Sequence, residues 1–205
     1  RDLYEKCQLI RNHAEAIVGP KMVPNLENMI GYNFRLGEIE SAIGIEQIKK
    51  LDHLISVKQS NAKKLLKGLS GLKGLRLPVT KNDCTHVYYM FPMILDIGLL
   101  GVSRDQIISA LEAEGIEGLA QGYVNIHSFP MYQNKIAYGK DGFPWNSHLC
   151  HREVSYDIGI CPVAEKLHNE SYFTYEMCMY DLSDLNIEQI IGAFQKVWSQ
   201  LDLLK

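Results

Sequence analysis

Asn33 and Arg35 stand one residue apart in the run Gly31-Tyr32-Asn33-Phe34-Arg35 and carry the donors an anionic oxygen needs. The Asn amide offers a pair of N–H groups and the guanidinium a planar fork, and both suit the oxygens of a phosphate. A structural use competes with this one: an Asn just ahead of a helix beginning near Leu36 makes a good N-cap, with Arg35 lying over the first turn. The two uses are compatible. A second set, His148, Cys150, His151 and Cys161, has side chains that zinc accepts. Their spacing matches no closed zinc pattern, and adjacent Cys150 and His151 would need an awkward turn to ligate together, so no metal ligand is assigned. Tyr88 and Tyr89 follow one another in a strand-like run, where neighbouring side chains point to opposite faces. At most one of them can face a site, and packing is the expected use of both. His127 lies in a loop, where a single histidine is more often a surface or structural residue than a ligand.

Such residues need a scaffold, and the composition allows one. The chain has 205 residues, 46% of them apolar and 22% charged, close to the average of globular proteins, so a true core can form. A net charge of -3 without a basic stripe excludes a nucleic-acid surface. No window approaches the ~20 apolar residues of a membrane-spanning helix; the longest apolar stretches, such as Val87 to Leu95, are strand-sized. Five cysteines, odd in number and with no C-x-x-C pair, match the usage of a reduced, cytoplasmic protein. There is no signal-peptide pattern. The first residues, "RDLYEKCQLIRNHAEAIVG", have helix-like composition without a start signal, which leads us to expect a continuation of sequence lying upstream.

Periodicity sets out the elements. A short helical stretch opens residues 1–30 and gives way to an irregular segment with Gly19, Pro20 and Pro24. From Leu36, apolar residues recur mostly at spacings of three or four through Ile39, Ile43, Ile48, Leu51, Ile55, Ala62, Leu65 and Leu69. This predicts a long amphipathic helix over 36–70, with a bend near Gly44 and a stop at the glycines that follow. "HVYYMFPMILDI" reads as a strand whose Pro92 marks an edge or a bulge. A helix capped by Ser103 and stopped at Gly115 comes next, then a short strand from Ile116 to Ala120. Residues 121–152 have no period and form a long loop of the functional kind. An amphipathic helix capped by Asn186 or Asp184 closes the chain. The expected fold is α/β: a small, mostly antiparallel sheet with flanking helices.

Four segments, in order and at similar spacing, carry a resemblance. "IRNHA" with "GYNFRLGEIESAIGIEQIKKLD", then "CTHVYYMFPMIL", "GYVNIHSFPMY" and "CPVAEKLHNE", resemble the DegT/DnrJ/EryC1/StrS family of sugar aminotransferases over nearly the whole chain. The resemblance implies an enzyme of the aspartate-aminotransferase fold type (fold type I), working with pyridoxal 5'-phosphate. Residues 1–35 would be the end of the large cofactor-binding domain and residues 36–205 the C-terminal small domain. The lysine that carries the cofactor would lie upstream, so no catalytic residue is assigned here and the chain alone is expected to be inactive. Asn33, with Arg35 beside it, would hold the cofactor phosphate of a neighbouring subunit in a homodimer. Tyr123 and His127 would border the sugar. Many members have a His-Tyr pair where this chain has Gly122-Tyr123. Glu165 is expected to tie down a loop or cap a helix rather than act as a base.

The implied reaction transfers an amino group from glutamate or glutamine to a keto-sugar, often nucleotide-linked, for surface polysaccharide, lipopolysaccharide or glycosylated metabolites. The alternative is a free-standing, non-catalytic dimerisation or regulatory module derived from the same domain. If residues 1–30 lack their packing partners, the long helix should expose an apolar face and the chain should self-associate.

Overall fold

A computed structural model describes residues 2–14 and 30–205, which fall into two compact units, Arg1–Leu54 and Ile55–Lys205. The irregular segment expected around Gly19, Pro20 and Pro24 lies outside the described residues.

In the first unit, helix α1 (Asp2–Arg11) ends on an irregular turn in which His13 and Ala14 both take positive φ. Residues 10–14 then pair with residues 32–34: Tyr32 donates to Ile10, His13 to Tyr32 and Phe34 to Arg11, at 2.7, 2.9 and 3.1 Å. Gly31 is the residue this approach demands. A Cβ there would sit 1.9 Å from the Ala14 nitrogen, well inside any tolerable contact. Asn12 is buried at the pairing and its amide donates to the Gln8 carbonyl.

Helix α2 (Glu38–Leu69) starts with Glu38 and Glu40 in its first turn, where negative charge suits the exposed N–H groups. It runs unbroken through Gly44. Its first half is exposed on every side, apolar residues included, whereas Asn61, Ala62, Leu65 and Leu69 near its end are buried.

The second unit is built on a sheet in the order β1 (Leu75–Arg76), β2 (Phe91–Leu95), β4 (Tyr172–Tyr175), β3 (Leu119–Ala120), antiparallel throughout. β2 alternates as a half-buried strand should, with Phe91, Met93 and Leu95 inward. The strand is shorter than "HVYYMFPMILDI" suggests. Tyr88 has φ of 53°, outside the extended region, so pairing begins only at Phe91. Pro92 tolerates a central strand because β1 pairs only with Ile94 and Leu95, and Pro92 lies beyond its end. β3 is confined to Leu119–Ala120, since Gly118 turns the chain just before it. β1 and β4 carry too little period of their own to be read from sequence.

Helices α3 (Ile97–Leu100), α4 (Arg104–Ala113), α5 (Pro130–Gln133), α6 (Pro162–Lys166) and α7 (Asp184–Ser199) complete the unit. α4 opens with the expected Ser103 cap, doubled by the Gln106 side chain reaching back to the Ser103 N–H. α7 is capped by Ser183 rather than by Asn186 or Asp184. Asn186 is instead the third helical residue, returning the bond to Ser183. The end of α2, the inward side of β2, Phe173 and Tyr175 of β4, Ile107 and Leu111 of α4, and Ile187 and Phe194 of α7 form one core. Each fully buried side chain of this size contributes roughly 1.5–3 kcal/mol. Lys58 donates to the carbonyls of Met177 and Tyr180, and Asn61 to that of Leu182, fastening α2 to the chain between β4 and α7.

The long connection after β3 has order of its own. Tyr132, Trp145 and Tyr156 pack ring against ring, and Trp145 Nε1 donates to the Tyr156 hydroxyl at 3.0 Å. Among the described residues no helix is long and apolar enough to cross a membrane.

Candidate functional site

Asn33 and Arg35 are adjacent and exposed. Arg35 Nε donates to Asn33 Oδ1 at 3.1 Å, on a backbone fixed by the pairing of residues 10–14 with 32–34. The capping role considered for Asn33 is not the one it takes: α2 begins at Glu38, too far along for Asn33 to reach its first N–H groups. Tyr32 and Phe34 stack on each other 5.1 Å apart.

In the second unit His127 sits in a single helical turn, Ile126–Ser128, with its side chain 10% exposed against a Glu165 side chain 11% exposed. His127 Nε2 lies 2.9 Å from Glu165 Oε1. The geometry falls short of an aligned hydrogen bond, so this is a close polar contact. Two bare acceptors at that separation would repel, which places the imidazole proton on Nε2. Glu165 accepts from the N–H of Gly159 at 2.9 and 2.8 Å and of Cys161 at 3.1 Å. Burial works against its charge. The amides of Cys161 and Gly159, with His127 beside them, outweigh burial and hold its carboxyl below the ordinary glutamate range. Glu165 thus ties down residues 159–161 and closes the start of its own helix, α6.

Tyr123 is exposed, and its hydroxyl lies 3.4 Å from that of Tyr89. Tyr89 is the residue that sequence reasoning assigned to packing. Tyr88 does pack, stacked on His86 and Phe91, and its positive φ turns Tyr89 outward. No periodicity signals such a turn. The chain ahead of Tyr123 is held by Arg104, a buried arginine that donates to the carbonyls of His168 and Tyr172 and to Gln121 Oε1. Gln121 in turn donates to Asp105 at 2.9 Å. Arg104 was also missed, because in sequence it reads as an ordinary first-turn residue of α4.

Gly122 has a structural reason. Its φ is +79°, and a Cβ there would lie 2.6 Å from the Tyr172 ring. Of the four residues weighed as zinc ligands, Cys150 donates through Sγ to the Arg152 carbonyl, and the backbone N–H of Cys161 donates to Glu165.

The structure therefore gathers three small groups: Asn33 with Arg35, His127 with Glu165, and Tyr123 with Tyr89. They are suited to anion binding, loop anchoring and hydroxyl recognition in that order. The fold around them is shared with solved aminotransferase structures. DesV of Streptomyces venezuelae, in complex with ketimine intermediate, is similar at a TM-score of 0.68 and 23% identity, over 97% of this chain and 44% of that one. The model of the DegT/DnrJ/EryC1/StrS aminotransferase family matches residues 1–171, and the chain belongs to that family. It is 28% identical to GDP-perosamine synthase of Vibrio cholerae, over 75% of this chain and 39% of that protein. It is 30% identical to a dTDP-3-amino-3,4,6-trideoxy-alpha-D-glucose transaminase of Streptomyces venezuelae, over 64% of this chain and 31% of that protein. The chain thus spans about a third to two-fifths of the length of such curated relatives.

Proposed function

We propose that this chain is the C-terminal portion of a pyridoxal-phosphate-dependent aminotransferase that moves an amino group from glutamate or glutamine to a nucleotide-linked keto-sugar. In this reading residues 1–35 close the large domain and residues 36–205 form the small domain. The observation that carries it is the pairing of residues 10–14 with 32–34, which sets Asn33 and Arg35 side by side and outward. Those residues fit the phosphate of the cofactor: an amide and a guanidinium, 3.1 Å apart and open to solvent, on a backbone that only glycine at position 31 permits. Arg35 leans on Asn33, so the pair is ordered before an anion arrives and little freedom is lost on binding. Pyridoxal phosphate, when bound, supplies the electron sink for amino transfer.

The phosphate held by Asn33 and Arg35 belongs to the neighbouring subunit of a homodimer, and the cofactor-bearing lysine to sequence upstream of Arg1. Tyr123 and His127 border the sugar, Tyr123 with its exposed hydroxyl and His127 from its anchorage on Glu165. Glu165, already engaged by two amides and an imidazole, anchors the loop and moves no proton.

The test is the full-length protein incubated with glutamate or glutamine and a panel of GDP- and dTDP-linked keto-sugars. Amino sugar should form, and Asn33→Ala or Arg35→Ala should lower the cofactor retained after dialysis, read by its absorbance. Failure to aminate any of the keto-sugars, or full cofactor retention in both variants, would overturn the reading.

A further inference from the structure

We propose that Tyr89 joins Tyr123 in a two-phenol clamp that takes one sugar hydroxyl, making Tyr89 a specificity-determining residue of the site. The proposal rests on the sugar-aminotransferase reading above.

Three observations carry it. Both rings are largely outside the core, Tyr89 being 61% and Tyr123 75% exposed, so neither is needed for packing. Their hydroxyl oxygens nonetheless meet at 3.4 Å, although they come from segments 34 residues apart. And the chain beside each is anchored. Tyr89 follows Tyr88, which is locked inward between His86 and Phe91. Tyr123 lies between an anchor on each side: Gln121, held by Arg104 and Asp105, and His127, held against Glu165. Exposed side chains that add nothing to the core and are carried on anchored loop segments are typical of binding residues.

The chemistry follows from the separation. A settled O–H···O bond is ~2.7–2.8 Å long, so at 3.4 Å the phenols are only loosely engaged with each other. When one donates to the other, the pair still presents a free O–H and lone pairs side by side. A hydroxyl that must both give and accept a proton is the ligand such a pair fits, and a sugar ring is a frame of such hydroxyls. The hydroxyl of Tyr123 first, then partial burial and the ionisable groups of Cys178 and Glu176, hold the Tyr89 phenol above its ordinary pKa. A phenol keeps its proton at neutral pH with or without that shift, so Tyr89 is available as a donor. A ligand hydroxyl entering between the two oxygens replaces one long contact with two of normal length. A deoxy position presented to the same place leaves both phenols unpaired, and this is how the clamp discriminates.

The test uses the full-length protein with Tyr89→Phe, Tyr123→Phe and the double substitution, all of which keep the rings and should unfold at the wild-type temperature. Each single variant should raise KM for the keto-sugar about two- to tenfold, the size of one neutral hydrogen bond, with kcat little changed. The double variant should lose less than the product of the two, because both phenols serve one hydroxyl. The half-reaction with the amino donor alone should be unaffected. Calorimetric binding of GDP-mannose and of dTDP-glucose, as probes that need no turnover, should weaken in parallel for whichever probe binds. Wild-type affinity and KM in Tyr89→Phe would overturn the clamp. An equal loss in the amino-donor half-reaction would also overturn it, since that marks a general structural effect. If the protein aminates no keto-sugar yet Tyr89→Phe still weakens a probe, the clamp stands and the proposed reaction falls. If the wild type binds neither probe and aminates no sugar, both fall.

Discussion

At the scale of single residues, Gly122 and Glu165 show how local chemistry sets what the loop can do. Where many family members carry a His-Tyr pair this chain has Gly122-Tyr123, and the reason lies in the backbone. A positive φ and a Tyr172 ring 2.6 Å from the missing Cβ exclude any larger residue. Gly122→His should therefore destabilise the chain by about 1–3 kcal/mol, the range of a strained backbone position. Tyr172→Ala should recover part of that loss by removing the obstructing ring. Chemical denaturation of the two single variants and the double variant measures this, and an unchanged midpoint in Gly122→His would refute it. For Glu165 the expected signature is in pH. Its carboxyl is held below the unfolded value, so its contribution is fully present above the ordinary glutamate range, near ~4.3, and fades as pH falls through the lower folded value. The stability difference between wild type and Glu165→Gln should be level at neutral pH and shrink in acid. A difference that stays constant down to about pH 3 would show that the carboxylate is not held as its bonds imply.

At the scale of elements, what was legible in the sequence is what periodicity or a cap announces. The long helix is visible because apolar residues recur through more than eight turns, and α4 because Ser103 and Gln106 form a capping box. α7 was placed correctly but its cap was not: Ser183 lies one residue before the acidic Asp184 that drew attention, and only the reciprocal bond with Asn186 identifies it. Ser183→Ala should cost about 0.5–2 kcal/mol. Ser183→Asp should cost far less, a contrast that thermal unfolding can resolve and that the Asn186 cap considered earlier would not produce. β1 and β4 escaped because strands of two and four residues owe their existence to partners distant in sequence. The sites follow the same rule. Asn33 and Arg35 are neighbours in sequence and could be read there, with help from family resemblance. The meetings of Tyr123 with Tyr89 and of His127 with Glu165 depend on the fold, and Tyr88's unusual φ leaves no trace in residue type.

At the scale of the whole molecule, the first half of α2 raises the largest question about assembly. Ile39 and Ile48 are 76% and 71% exposed, and Ile43, Ile45, Leu51 and Leu54 are exposed with them. Scattered apolar residues on a surface need no explanation, but six within little more than four turns, spread around much of the helix, expose more apolar surface than water favours. In the proposed homodimer the same stretch follows directly on Asn33 and Arg35, which in that reading would serve the other subunit. A segment that reaches across an interface is also one expected to be covered there. Sedimentation of the chain should therefore show dimers or larger species that dissociate on dilution. Ile43→Lys with Ile48→Lys should give a monomer with unchanged helix content, because charges in the middle of an apolar contact are desolvated without partners. In the full-length protein the same pair of substitutions should also reduce cofactor retention, since Asn33 and Arg35 would no longer be delivered to the neighbouring site. A chain that is monomeric at every concentration, or a double variant that assembles like the wild type, would place the interface elsewhere. Loss of cofactor without loss of assembly would point to a purely local effect on the Asn33–Arg35 segment.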